Sequence, residues 1–284
     1  MRPFPIEENA ASPSRPVLAA AWQRFRMADS FTSARALAFQ LVMSLLSGVI
    51  VLTAVAARLG EGRVQALLQE VVTTALPSGT AGVFFEALKQ GTTDATRSGW
   101  ALAVGVTGVL VTAVLTVGQL RRAVMRIHGR EAPRLTTLNL TIAATLGVFV
   151  GLAVVAAVLL LTFGQNVGTV LTAQPAGRVG ELVAWAMIVG LGAIGLGVLL
   201  MVVLIPNPPT FRASLVGASV AVGGGTVMSM LLGLYLNASG TFGEIFGSLA
   251  GLVGGLFWAQ LNSIVLLFSV AISAELHDHR QMAS

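Results

Sequence analysis

Three arginines, Arg122, Arg126 and Arg130, follow one another at four-residue intervals. On a helix that spacing stacks side chains on one face, so the three would form a basic stripe. Such a stripe can hold phosphate or anionic headgroups, at about 1 kcal/mol per cation near a membrane surface. The same residues also fit an ordinary positively charged anchor. A second polar pair, Gln260 and Asn262, lies inside a long apolar stretch. There it would either bond a neighbouring helix or line a polar cavity. His277, Asp278 and His279 are three metal-ligand types in a row. Near the end of a chain they make a poor coordination set, so no metal and no other cofactor is expected. The chain has no cysteine, which excludes disulfides, thiolate metal sites and a cysteine nucleophile. No paired carboxylates, nucleophile–histidine arrangement or phosphate-cradling glycine loop appears. The expectation is a protein that binds rather than an enzyme, with no catalytic residue.

The elements that must position these residues follow from composition. The chain has 284 residues, 55% hydrophobic and only 10% charged, with mean hydropathy +0.84. A soluble domain carries about 25% charged residues; this chain cannot cover a water-facing surface with its charges. Uncharged windows recur at 37–57, 99–120, 138–163, 182–205, 213–236 and 246–274. Each is close to or above the roughly 20 residues that cross a bilayer as a helix. Helix is required, because lipid satisfies no backbone polar group and no barrel-like alternation is present. The predicted fold is therefore all-α: a polytopic membrane protein with a six-helix transmembrane bundle. The domain plan is an N-terminal segment over 1–36, the six-span domain over 37–276 and a tail over 277–284.

Charge placement predicts the orientation. Of the 17 Lys and Arg residues, twelve fall in the N-terminal segment, the loop after span two, the loop after span four and the tail. Five fall on the other side, and the acidic residues divide evenly. Cytoplasmic loops carry the excess of cations, so both termini are expected in the cytoplasm of a multi-pass plasma-membrane protein. The net charge of +5 then reflects topology, and no nucleic-acid partner is expected. From Leu18 an amphipathic piece bears Trp22, Phe25 and Met27 among Arg24, Arg26 and Asp29. It is expected at the membrane surface, arginines toward the headgroups, and no removable signal peptide is expected. Between spans one and two, Val64, Leu67, Leu68, Val71, Val72, Ala75 and Leu76 repeat as on an amphipathic helix. That helix and a shorter one after it would lie on the outer face.

The last span has a distinct face. Gly247, Gly251, Gly255, Ala259 and Ser263 recur every fourth residue and all are small. Small residues let transmembrane backbones approach closely, where packing replaces the hydrophobic drive. Gly217, Ala221 and Gly225 form a second small row, expected to meet the first. The spans contain no Asp, Glu, Lys, Arg or His, which argues against a carrier driven through buried intramembrane carboxylates.

In this order of motifs the chain resembles the YihY/BrkB family of bacterial inner-membrane proteins. The resemblance runs from about Asp29 to Leu276. It is carried by Ala36-Leu37-Ala38-Phe39, by the basic loop from Leu120 to Arg134 with Arg126-Ile127-His128-Gly129, and by Ile205-Pro206-Asn207. Arg212, Gly217, Tyr235, Phe246-Gly247-Ser248-Leu249, Trp258 and Ala274-Glu275-Leu276 complete it. The chain departs from the family at Ser47, where a proline is usual, at Phe39-Gln40, where paired aromatics are usual, and at Phe246, where a tyrosine is usual. The resemblance implies a six-helix inner-membrane protein linked with envelope properties and export of anionic lipid. A ribonuclease label attached to the family conflicts with these residues. RNA cleavage needs positioned acid–base groups or metals, and the longest cytoplasmic segments offer one lone His128 and scattered acids.

Two functions are carried forward. In the first, the protein binds or moves an anionic, amphipathic lipid, using Arg122, Arg126, Arg130, Gln260 and Asn262. In the second, it is a non-transporting scaffold in an envelope complex, alone or as a homo-oligomer.

Overall fold

The computed structural model describes residues 16–59, 98–130, 141, 144–149, 190, 192–197, 199, 209–238, 241–246 and 249–283. Six helices have defined bounds: α1 Val17–Met27, α2 Ser30–Leu59, α3 Ser98–Ile127, α4 Phe211–Ala238, α5 Thr241–Phe246 and α6 Ala250–Ala283. Among the described residues there is no strand. Three helices are long and apolar enough to cross a membrane, over Ala103–Ile127, Phe211–Leu236 and Ala250–His279. The expected first span, 37–57, lies within α2. Expected spans three and four are described only at short helical pieces such as 144–149 and 192–197. Two of their glycines touch the long helices: a Cβ on Gly147 would meet Ala113 at 2.9 Å, and one on Gly197 would meet Ala218 at 3.0 Å. The outer amphipathic helices expected between spans one and two lie outside the described residues, as does Gly247.

Helix α6 is the hub, packing against α1, α2, α4 and the end of α3. Its buried face is the small row read from the sequence: Gly251, Gly255, Ala259 and Ser263 are all buried. The row continues through Leu267 and Ala271 into the main core. At Ala259 and Gly225, where the partners are seen, row does not meet row. Ala259 packs with Ala38 and Val42 of α2. Helix α4 meets a neighbouring face of α6, where Gly225 lies against Asn262 and Gly224 against Val265. Gly217 is buried and Ala221 half-buried along α4. The expected pairing of the two rows is corrected because α6 runs between two helices and turns a different face to each. Small residues at both contacts permit close approach.

The α4–α6 contact leads to a graded expectation. A Cβ on Gly224 would stand 2.8 Å from Val265 Cγ1. Valine on a helix is held in one χ1 rotamer, so it has little room to retreat. Gly224→Ala should lower thermal stability in detergent by about 1–3 kcal/mol, as overpacking does. A Cβ on adjacent Gly223 meets nothing within 4 Å. Gly223→Ala should be neutral or raise stability by up to about 1 kcal/mol, the helix-propensity difference. Equal melting temperatures for the two variants would contradict this packing.

The N-terminal helix departs most from expectation. Helix α1 was expected on the membrane surface with its arginines toward headgroups. It is instead packed into the bundle, with Ala21, Phe25 and Ala28 in the same core as Leu37, Ile127, Leu267 and Ala271. Leu18 and Trp22 remain exposed on its outer side. Between α1 and α2 the chain turns at Asp29, whose φ is +51°. Aspartate tolerates this left-handed region better than most residues. The carbonyl of Asp29 then accepts the Ser33 N–H at 3.2 Å, inside the first turn of α2. The expected tail also changes character: α6 continues unbroken to Ala283, so 277–283 is part of the last helix.

Candidate functional site at the basic end of the helices

Helix α3 has 30 residues and α6 has 34. At 1.5 Å per residue these run roughly 45 and 50 Å, well beyond a hydrocarbon core of about 30 Å. Their ends therefore project past the apolar slab, and the charged residues gather there.

Arg122 and Arg126 lie on α3, the first half-buried and the second exposed. The Arg122 guanidinium donates to Gln119 Oε1 at 2.7 Å. Arg130 does not extend the stripe, because the helix stops first. Gly129, at φ +68°, donates to the Arg126 carbonyl at 3.0 Å, and Arg130 N–H reaches back to the Met125 carbonyl at 2.9 Å. This is the Schellman closure, in which a left-handed glycine ends a helix. The expected three-arginine stripe is thus corrected to two on the helix, with Arg130 placed beyond the reversal. The Arg126-Ile127-His128-Gly129 motif is this cap.

A second charged group was not expected. Arg24 of α1 is 8% exposed. Its Nη2 donates to Asp278 Oδ2, and its Nε stands 3.1 Å from Glu275 Oε2. That second contact lacks hydrogen-bond alignment, since neither atom has a hydrogen-bond partner; it is Coulombic. Glu275 is 2% exposed and also faces His279, with Nε2 3.5 Å from Oε1. Nearby, His128 Nδ1 donates to the Val124 carbonyl at 2.9 Å. Burial pushes the His128 imidazole below its ordinary range, and Arg24 and Arg130 push it the same way. The Val124 bond and Asp278 oppose them. His277 takes yet another partner, accepting the Thr210 N–H at 3.2 Å and tying the start of α4 to the end of α6. In the run His277-Asp278-His279, His277 thus turns to α4 while Asp278 and His279 both join the Arg24–Glu275 cluster. Among the described residues, no three His, Asp or Glu side chains converge as a metal site would require.

A signal for this cluster was present in the sequence. Extending the four-residue row of α6 past Ser263 gives Leu267, Ala271 and Glu275. Glu275 is the buried face carried one residue past the end of the apolar run at Ala274. Arg24 likewise falls between Ala21, Phe25 and Ala28 on the inward face of α1.

The intramembrane polar pair is divided. Asn262 Nδ2 donates to the Trp258 carbonyl at 2.9 Å and lies 3.5 Å from Ser229 Oγ on α4. Ser229 Oγ also accepts from Trp258 Nε1 at 2.9 Å and donates to the Gly225 carbonyl at 2.8 Å. Asn262 therefore belongs to a polar joint between α4 and α6, a contact worth about 0.6 kcal/mol per bond in such bundles. Gln260 lies half-buried and does not share that joint.

Membrane-length apolar helices around a buried small-residue face, with charges gathered at projecting ends, define an integral membrane protein. The chain belongs to the family described as Virulence factor BrkB, whose sequence model matches residues 21–284. No curated protein and no solved structure matched it.

Proposed function

We propose that this protein binds an anionic lipid at the basic end of α3 and moves it across the membrane. In this reading it is a six-span bundle in a bacterial inner membrane, with both ends of the chain cytoplasmic. Binding, rather than catalysis, is its role. The observation that supports it best is the outer face of α3. Val104, Val111 and Leu115 are exposed there, and the same face continues through Gln119 and Arg122 to exposed Arg126. Apolar side chains thus give way along one stripe to two guanidiniums. An acyl chain can lie on the first part while a phosphate meets the second. From Val111 to Arg126 the stripe rises roughly 22 Å, enough for a chain and a headgroup.

Reconstitution with labelled lipids tests this. Two cations at about 1 kcal/mol each imply that Arg122→Gln with Arg126→Gln weakens anionic-lipid binding by about thirtyfold. Zwitterionic lipid should be unaffected. Binding and flip of anionic lipid no greater than in protein-free vesicles would overturn the proposal and leave the scaffold role standing.

A further inference from the structure

Helix α1 is short, with 11 residues, and is joined to α2 by a two-residue corner at Ala28 and Asp29. It packs chiefly on α6 and meets α2 and α3 only sparsely. Its inward face is held by Phe25 and by the Arg24 ion pairs. Buried ion pairs are weak stabilisers, because desolvation offsets much of their attraction; their best-attested use is to set register or to switch. This one is shared. Arg24 bonds half-exposed Asp278 and faces buried Glu275 without hydrogen-bond alignment. Four titratable side chains surround it: Glu275, Asp278, His279 and His128.

We propose that α1 is a proton-released strap, fastened to the end of α6 by Arg24 to Glu275 and Asp278, and swinging about Asp29 when acid weakens that fastening. Every protonation in the cluster acts in the same direction. A proton on Glu275 or Asp278 removes a charge that holds Arg24. A proton on His279 adds a cation that competes for Glu275. A proton on His128 adds a cation beside Arg24. The other charged groups on the neighbouring helices do not reverse this. Arg121 and Arg130 on the α3 side are cations already, Arg35 of α2 is exposed, and His277 of α6 is bonded to Thr210 at the start of α4. The strap does not depend on lipid binding at the outer face of α3.

The absence of native cysteine makes single introduced thiols clean reporters. Three full-length variants are compared in detergent with a water-soluble maleimide. Ala21→Cys reports the strap, since Ala21 is 0% exposed. Leu18→Cys, at an exposed site on the same helix, corrects for the intrinsic pH dependence of the thiol. Ser214→Cys, 0% exposed at the start of α4 and outside the core that α1 covers, detects unfolding. Between about pH 7.5 and about pH 5, where histidine changes charge, the ratio of Ala21→Cys to Leu18→Cys labelling should rise about tenfold. Ser214→Cys should stay protected. Adding Glu275→Gln and Asp278→Asn should raise the ratio already at neutral pH and flatten its pH response. A ratio that stays constant over this range in the otherwise unaltered chain overturns the strap. So does Ser214→Cys becoming reactive in step with Ala21→Cys, which would mean that the bundle opens as a whole.

Discussion

Phe25→Ala should lower the stability of the detergent-solubilised protein by about 3–5 kcal/mol, the range for deleting a fully buried aromatic ring. Phe25 is 0% exposed. Its ring centroid lies 4.9 Å from Phe31, 5.7 Å from Trp22 and 5.9 Å from Phe268. The edge-to-face contacts with Phe31 and Phe268 add to area burial by about 0.5–1.5 kcal/mol each. Three helices, α1, α2 and α6, meet at this ring, so little can collapse into the hole. Trp22→Ala should cost clearly less, because Trp22 is 45% exposed and much of its ring is already outside the core. Thermal melts of the two variants check this. A Phe25→Ala protein that melts with the parent would mean that α1 is not docked as described.

The second large effect belongs to the Arg24 clasp. Arg24→Leu leaves Glu275 buried with only His279 beside it. Breaking a buried pair by removing one partner costs about 3–5 kcal/mol. Glu275→Leu should cost less, because Arg24 retains Asp278, whose side chain reaches water at 45% exposure. The double change Arg24→Leu with Glu275→Leu should recover much of the loss, since replacing a whole buried pair by apolar side chains is often neutral or better. The sign of the non-additivity decides the matter. A double variant as unstable as the two losses summed would show that the two side chains do not interact. These melts are made at neutral pH, where the strap is expected to be closed.

Which parts were legible in the sequence has a physical explanation. The all-helical membrane class was readable because a chain with 10% charged residues has few other solutions. The inward face of α6 was readable because small residues at a four-residue period have one efficient use between lipid-embedded helices. The partner of that face was not. Small rows say that something approaches closely, not which helix does so, and α2 took the place expected for α4. The Arg122, Arg126, Arg130 stripe failed at its last member because four-residue spacing cannot reveal that Gly129 turns left-handed and ends the helix.

The pairing of Arg24 with Glu275 was illegible for a related reason. A charge at the edge of an apolar run is ordinarily read as the place where water begins. Each of these charges sits about 250 residues from its partner in the sequence. Their burial is mutual, so neither side chain announces it alone. Only the inward face of α1, on which Arg24 lies among Ala21, Phe25 and Ala28, and that of α6, continued past its apolar run to Glu275, point to the meeting of the two.

The measurement that tests the proposed role most directly is native mass spectrometry of lipids retained by the purified protein. The parent chain should carry anionic phospholipid in preference to zwitterionic phospholipid after detergent exchange. The Arg122→Gln, Arg126→Gln variant, shown by its melting temperature to be folded, should lose that preference. Retention of zwitterionic and anionic lipids in equal measure by the parent, or an undiminished anionic preference in the variant, would contradict lipid recognition at the basic end of α3.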